Sequence, residues 1–318
     1  MFLIASQDTG PTHYLLELDN YIDESIWIYS EQTKHLLRDK HCVEYWDHLE
    51  PALIVTGTTL GKSIDKELIS FAKTICKPSV SIIEHWSNYN KRFNLNGKMI
   101  LPDHIIVNDN YAKYQAIQDD LPADKLFVGG NPHLEKLAKT KLNRVKTNEW
   151  KMKNKIPDGK LIIFIAESIK DSFGTDYFGY DEFTVLNSLI DILPEDSVLL
   201  IKKHPEESKD KYNTFLSDRV KVIDDCNIDV MIQVAYIIIG MASMLLIELG
   251  MFRDDIISYR PNYRKPFIGE EIHATHLAHT EKHCINFIKH PPKSSSLSFR
   301  HSFEGSAIRI SNYLNSLT

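Results

Sequence analysis

The sequence lacks any apolar run long enough to cross a bilayer. The longest, residues 236–249, is broken by Gly240, Ser243 and Glu248 and falls short of the ~20 apolar residues a spanning helix needs. It reads as strand, turn and helix. The opening MFLIASQDTG has no basic leader, no long apolar stretch and no small-residue cleavage site, so a signal peptide is not expected. Cysteine is scarce. Cys42, Cys76, Cys226 and Cys284 are the four present, and none forms a CxxC pair. Without an export signal, reduced thiols and a cytoplasmic location are expected. Positive charge is not in excess either: 37 Lys and Arg face 43 Asp and Glu, for a net charge of −6. That excludes nucleic-acid binding driven by a basic face. Three signatures are also missing. No GxGxxG opens a helix after the first strand, no GxSxG elbow is present, and Gly57 and Gly61 are too close for a GxxxxGK[ST] phosphate loop. A dinucleotide cofactor, Ser-His-Asp hydrolysis and a Walker-type site are therefore not expected.

What is present is an ordinary globular composition, 43% hydrophobic and 25% charged over 318 residues. That length fits two domains of ~100–200 residues. Short β-rich runs at 2–5, 25–29, 52–55, 79–83, 104–107 and 125–128 alternate with helical stretches. The clearest helix is 63–75, where Ile64, Leu68, Phe71 and Ile75 recur every three or four residues. Residues 136–160 are rich in Lys and Arg, poor in apolar positions and carry the turn signal Pro157-Asp158-Gly159, as an exposed connection would. The rhythm then restarts, with strands expected at 161–166, 198–201, 220–223, 236–239 and 255–259 and a final amphipathic helix at 306–317. Alternating strands and helices imply parallel sheets covered on both faces. The fold class expected is two doubly wound, Rossmann-like α/β domains, 1–145 and 146–318, with the last helix free to return to the first domain.

Ligands of such sheets sit at the carboxyl ends of strands, and the polar motifs collect there. Thr56-Gly57-Thr58-Thr59-Leu60-Gly61 is a small-residue turn before a helix. Through Thr58 and Gly61 it either holds an anion or is a plain turn capped by Ser63. Glu84-His85-Trp86 pairs a carboxylate with an imidazole after a buried strand, a pattern suited to general-base work. Neighbouring strand residues point to opposite faces, so either Glu84 or His85 can be the base. Glu167 and Ser168 follow another strand. Lys202-Lys203-His204-Pro205 places an imidazole, held extended by Pro205, where it can bind a phosphate or give it a proton. Gly240-Met241-Ala242-Ser243 opens an apolar helix, where small residues let a phosphate approach backbone and helix dipole. Glu248, inside that helix, reads as a ribose ligand or as an ordinary solvated residue. His273, His276, His279 and His283 have HxxHxxH-like spacing, but no Cys or carboxylate pattern accompanies them, so no metal is expected.

With these residues the chain resembles the GT-B glycosyltransferases. Its second half is similar to the bacterial capsule, sialyltransferase and polyol-phosphate transferase group. His204-Pro205 matches that group's His-Pro pair. Gly240-Met241-Ala242-Ser243 matches its hydroxyl pair only at Ser243, since Ala242 replaces the first hydroxyl. The acidic-acidic-Gly signature of the group is absent, so Glu84 is carried over by position, with Asp8 as the fallback. The resemblance implies a central cleft between an acceptor-side domain, 1–145, and a nucleotide-side domain, 146–318. It implies glycosyl transfer from a nucleotide-sugar donor to a glycan or glycolipid acceptor in bacterial surface-polysaccharide synthesis. No cofactor or metal is implied: Glu84 or His85 takes the acceptor proton, and His204 and Ser243 stabilise the departing phosphate. The His-Pro plus Ser pattern resembles that of enzymes using CMP-activated, sialic-type nonulosonic acids, which implies such a donor, with UDP-sugars and CDP-polyols as alternatives. Two other classes compete: a nucleotide-sugar epimerase or hydrolase on the same fold, and a non-catalytic binding protein. Peripheral contact with the inner membrane, through 136–160, is a further expectation, set against a solvated linker.

Overall fold

The computed structural model describes residues 1–174, 176–204, 207–224, 226–293 and 297–318. The chain forms two compact units, Met1–Lys136 with Ser302–Thr318, and Leu137–His301.

In the first unit, strands β1 (Phe2–Ser6), β2 (Ser25–Tyr29), β3 (Cys42–Val43), β4 (Leu53–Thr56), β5 (Ser79–Ile83), β8 (His104–Val107) and β9 (Leu126–Val128) form one sheet in the order β3-β2-β1-β4-β5-β8-β9. Every pairing in it is parallel. A small antiparallel pair, β6 (Asn94–Leu95) and β7 (Lys98–Met99), stands apart. The central strands are short, mostly apolar and buried on both faces, as in Phe2–Ser6 and Ser79–Ile83. That is what helices on both sides of a parallel sheet require. One face is covered by α1 (Thr9–Asp19), which contributes Tyr14, Leu15 and Leu18, and the other by α2 (Ile64–Thr74), which contributes Leu68 and Ala72. Two shorter helices, α3 (Tyr89–Phe93) and α4 (Asn110–Gln118), follow β5 and β8.

The second unit repeats the plan. Strands β10 (Lys160–Ile165), β11 (Ser197–Lys202), β12 (Val220–Ile223), β13 (Ile237–Gly240), β14 (Ile256–Tyr259) and β15 (His276–Ala278) run parallel in the order β12-β11-β10-β13-β14-β15. Around them lie α7 (Ile169–Phe173), α8 (Glu182–Asp191), α9 (Ile228–Val234), α10 (Met244–Gly250), α11 (Ile268–Glu271) and α12 (Glu281–Lys289). In both sheets the strand order turns back beside the first strand, between β1 and β4 and between β10 and β13. Such a switch leaves a crevice above the strand ends.

Three details depart from the sequence reading. Residues 136–160 are not bare linker: α5 (Pro132–Lys139) runs into them and α6 (Thr147–Lys153) lies within them, burying Trp150. The many lysines of that stretch occupy exposed positions and mask its few apolar anchors. The His-rich stretch is one strand and one helix, with His276 on β15 and His283 on α12. Finally, α13 (Leu297–His301) precedes α14 (Ser306–Asn315), and α14 packs on the first unit. There Ile310 and Leu314 enter the core, and Tyr313 stacks on Phe127 at 3.9 Å. No helix among the described residues is long and apolar enough to cross a membrane.

Candidate functional site

In the first unit the switch point lies over β1 and β4. Here Gly57 passes so close to α1 that a Cβ would meet Pro11 Cβ and Ser6 Oγ, each at 2.7 Å. Glu84 follows β5, the next strand, and leans toward the start of α1. Its Oε1 lies 3.5 Å from where a Gly10 side chain would begin, an ordinary contact distance that places the carboxylate beside the start of α1. Arg92, from α3, stands 3.7 Å from Oε1. The other oxygen, Oε2, is buried without a hydrogen-bond partner. Burial raises the pKa of Glu84 above the usual carboxylate range; Arg92 pulls it back and Asp8 pushes it further up.

His85 turns aside. Its Nδ1 lies 2.9 Å from Ser87 Oγ, and burial, helped by the Arg92 charge, takes its pKa down to about 4. The ring is therefore neutral at neutral pH. Thr58 is committed to the scaffold: its hydroxyl donates to Ile82 O at 3.1 Å, and Arg92 Nη1 donates to its carbonyl at 2.9 Å. Gly61 sits in the left-handed region, φ +72°, and a Cβ added there would meet nothing within 4 Å. Its role is the turn itself. Ser63 takes the cap position of α2, but its hydroxyl makes no cap hydrogen bond.

The sequence reading missed Asp65, Lys66 and Arg92. Asp65 is 1% exposed and Lys66 2%. Asp65, Leu68, Ile69 and Ala72 all lie on the buried side of α2. Their spacing of three and four is the signal that could have exposed an acid on an apolar face. Burial raises Asp65 to about 7, with Thr59 opposing and Asp8 reinforcing the shift.

In the second unit, Glu167, His204 and Ser243 follow the ends of three neighbouring strands, β10, β11 and β13. The turn expected to cradle phosphate is already engaged. Ala242 N donates to Glu167 Oε1 at 2.7 Å, and the amides of Met241 and Ser243 also favour the Glu167 anion. Burial nonetheless raises its pKa to about 7. Glu167 thus stands where an anion was expected, because a carboxylate meets the same amide donors a phosphate would. Gly240 ends β13; a Cβ there would meet Leu246 Cδ2 at 2.9 Å, so its bareness serves strand–helix packing. Ser243 caps α10, its Oγ accepting from Leu245 N at 3.2 Å, which leaves its own proton to donate.

His204 is half-buried, and its backbone N–H donates to Glu207 Oε2 at 2.9 Å. Glu207 belongs to a buried hub. Lys211 Nζ lies 2.6 Å from Glu182 Oε1, 2.9 Å from Glu207 Oε1 and 2.8 Å from Asp171 Oδ2. Ser168 joins the hub by accepting from Lys211 at 3.2 Å. Glu248 is half-buried within α10. Pro205 lies outside the described residues. Beside the ends of β11 and β12 is a cavity of about 430 Å³ lined by Lys202, Asp224, Asn227, Met231 and Leu245, among others. No group of three or more His, Cys, Asp or Glu among the described residues is placed to hold a metal ion. His279 and His283 meet edge to face at 4.4 Å.

No family model matches the chain, and no curated protein does. Solved structures do. The UDP-GlcNAc 2-epimerase of Methanocaldococcus jannaschii is similar with TM-score 0.67 and 14% identity, over 99% of this chain and 100% of that one. Anabaena HepE in complex with UDP-glucose is similar with TM-score 0.61 and 12% identity, over 99% and 95%. The glycotransferase of kitacinnamycin is similar with TM-score 0.62 and 10% identity, over 99% and 98%. These likenesses show the fold: two parallel-sheet, Rossmann-like α/β domains of the GT-B type.

Proposed function

We propose that the chain is an enzyme acting on a nucleotide-linked sugar, and that the reaction is glycosyl transfer to a hydroxyl. The observation that carries this reading is Glu84. Its carboxylate is buried, one oxygen has no partner, and it lies beside the start of α1. A buried carboxylate whose pKa is raised above its ordinary range is a stronger base for an acceptor hydroxyl than an exposed one. His85, neutral and turned to Ser87, serves as a neighbour rather than as the base, and Asp8 acts through its charge.

The nucleotide belongs to the second unit. Because Glu167 engages the amides of the 241–243 turn, phosphate binding falls to the His204 imidazole, the Ser243 hydroxyl proton and Lys202 beside the cavity. As the bond to the sugar breaks, these donors take up the charge growing on the departing phosphate. The proton from the acceptor ends on Glu84. Donor and acceptor follow from the sequence resemblance: a CMP-activated nonulosonic acid passed to a glycan or glycolipid of a bacterial surface polysaccharide. The neighbouring structures point instead to uridine nucleotides, since HepE is held with UDP-glucose.

A second reading is epimerisation of the nucleotide sugar. It is favoured by the likeness to a UDP-GlcNAc 2-epimerase and by a second proton-holding acid, Asp65, in the first unit. One assay separates the two. CMP- and UDP-sugars are incubated with the protein, with and without glycan acceptors, and nucleotide release and sugar configuration are followed. Acceptor-dependent release supports transfer, and a changed sugar with no acceptor supports epimerisation. In either case Glu84→Gln is expected to lose roughly 10²–10⁴-fold in rate, the usual worth of a positioned base. No conversion of any donor would refute the proposal.

A further inference from the structure

The segment that follows Glu84 lines a second cavity, of about 290 Å³, which the reaction described above does not use. Trp86, Asn88 and Tyr89 form part of its lining, and Gln115, Gln118 and Asp119, at the end of α4, form the rest with Ser87. All belong to the first unit. The frame is fixed. Trp86 is 5% exposed, and its Nε1 donates to Asp109 Oδ2 at 2.7 Å. Asp119 Oδ2 accepts from Asn90 N at 2.9 Å, which ties α3 to the end of α4. Other polar groups of the lining are uncommitted. Tyr89 is 3% exposed, and its hydroxyl is buried without a hydrogen-bond partner, a costly state for a polar group. Gln115 and Gln118 lie three residues apart, on one face of α4, and their side chains make no hydrogen bond among the described residues. Asn88 reaches only Ser87 Oγ, at 3.4 Å.

This set of groups suits a ring of hydroxyls. A side-chain amide both donates and accepts, a phenol does either, and the second oxygen of Asp119 accepts. Trp86 and Tyr89 add apolar surface for the C–H edges of such a ring. Among the described residues, no Lys, Arg or His lines the cavity and one carboxylate does. A phosphate or a sugar acid would meet a like charge there, which costs affinity. Arg92 touches the lining through Ser87 O, at 3.0 Å, and is otherwise engaged with Thr58 and Glu84. The volume lies at the lower limit of the ~300–1,000 Å³ usual for small-molecule sites, which is room for one ring. Two residues of chain separate Trp86 from Glu84, a span of at most about 7 Å.

We propose that this cavity is a subsite for one neutral sugar unit, a unit of the acceptor glycan next to the one that reacts at Glu84. The role in the acceptor rests on the reading of Glu84 given above; the binding of a neutral sugar does not. Ordering two unrestrained glutamines lowers the affinity, so a single unit should bind with millimolar Kd.

The test is titration of the full chain, followed by the indole N–H signals of its four tryptophans, with Trp86→Phe identifying the Trp86 signal. The probes are the methyl glycosides of glucose, galactose, mannose and N-acetylglucosamine, with glucose 6-phosphate as the anionic control. At least one glycoside should shift the Trp86 signal with millimolar Kd. Tyr89→Phe and Gln118→Ala should each weaken that binding about three- to tenfold, the worth of one hydrogen bond. Tyr89→Phe should do so with no fall in Tm, because its hydroxyl makes no bond in the free protein; a merely structural role would lower Tm and leave affinity alone. Should Tyr89→Phe not fold, Gln118→Ala, at an exposed position, decides. No shift by any glycoside at hundreds of millimolar, unchanged Kd in both variants, or tighter binding of glucose 6-phosphate overturns the proposal. Binding is read without turnover. A glycoside held here by a protein that converts no nucleotide-linked sugar would therefore refute the functional reading and keep the subsite. Turnover on a glycan acceptor whose KM is the same in wild type, Tyr89→Phe and Gln118→Ala would overturn the proposal and keep the functional reading.

Discussion

Replacing Lys211 by Met should cost the second unit about 3–5 kcal/mol, the usual loss when one partner of a buried ion pair is removed. The side chains of Glu182 and Glu207 are both 0% exposed, and Lys211 is the cation both of them meet. Burial opposes the charge on Lys211, but the hydrogen bonds it donates to Asp171, Glu182 and Glu207 outweigh it and hold the ammonium above its ordinary range. Methionine keeps the stem and removes the charge, so two carboxylates are left in the interior. Asp171, 66% exposed, returns to water at little cost. A loss of this size is a large share of the ~5–15 kcal/mol that holds a domain together. The measurement is urea unfolding followed by the fluorescence of Trp150, the tryptophan of this unit. Without their cation the two carboxylates are left buried and uncompensated, a cost that protonation relieves, so the variant regains stability as pH falls. The deficit should therefore be smaller at pH 5 than at pH 8. Adding Glu182→Gln and Glu207→Gln to the Met variant should recover most of it. A loss below about 1 kcal/mol, or a deficit that does not shrink at pH 5, would refute the reasoning. Because Glu207 also holds the His204 backbone N–H, the Met variant should bind nucleotide more weakly even where it remains folded.

Gly130→Ala should destabilise the first unit by about 2 kcal/mol or more: φ is +98°, and a Cβ would stand 2.0 Å from Ser306 Oγ at the start of α14. Thermal unfolding reads it, and an unchanged Tm would contradict the packing of α14. Glu167→Gln should flatten the pH dependence of stability. Wild-type Glu167 binds a proton up to about pH 7 folded but only to about 4.5 unfolded, so wild type loses stability relative to the variant as pH rises through that window, by up to about 3 kcal/mol. Parallel stability curves from pH 5 to 8 would contradict it.

The architecture was legible because buried parallel strands such as Ile237–Gly240 and Ser197–Lys202 are short, β-branched and bounded by turns. Edge strands were not. Cys42–Val43 and His276–Ala278 hold only two and three residues, too few to show a period. Strand-end residues Glu84, Glu167, His204 and Ser243 were legible because the topology puts them where ligands bind. Their partners were not. That Glu167 would accept from Ala242, and that Thr58 would spend its hydroxyl on Ile82, depends on register between strands distant in sequence. Lys211 looked like one surface lysine among many, and only the fold brings Asp171 and Glu182 to it.

The most direct test of the account is calorimetric titration of the full chain with CMP, CDP, UMP and UDP, on wild type and His204→Ala. The account predicts that at least one nucleotide binds with micromolar Kd and that the variant loses tenfold or more of that affinity, about 1.4 kcal/mol. Failure of all four to bind at millimolar concentration, or equal affinity in the two proteins, would contradict it.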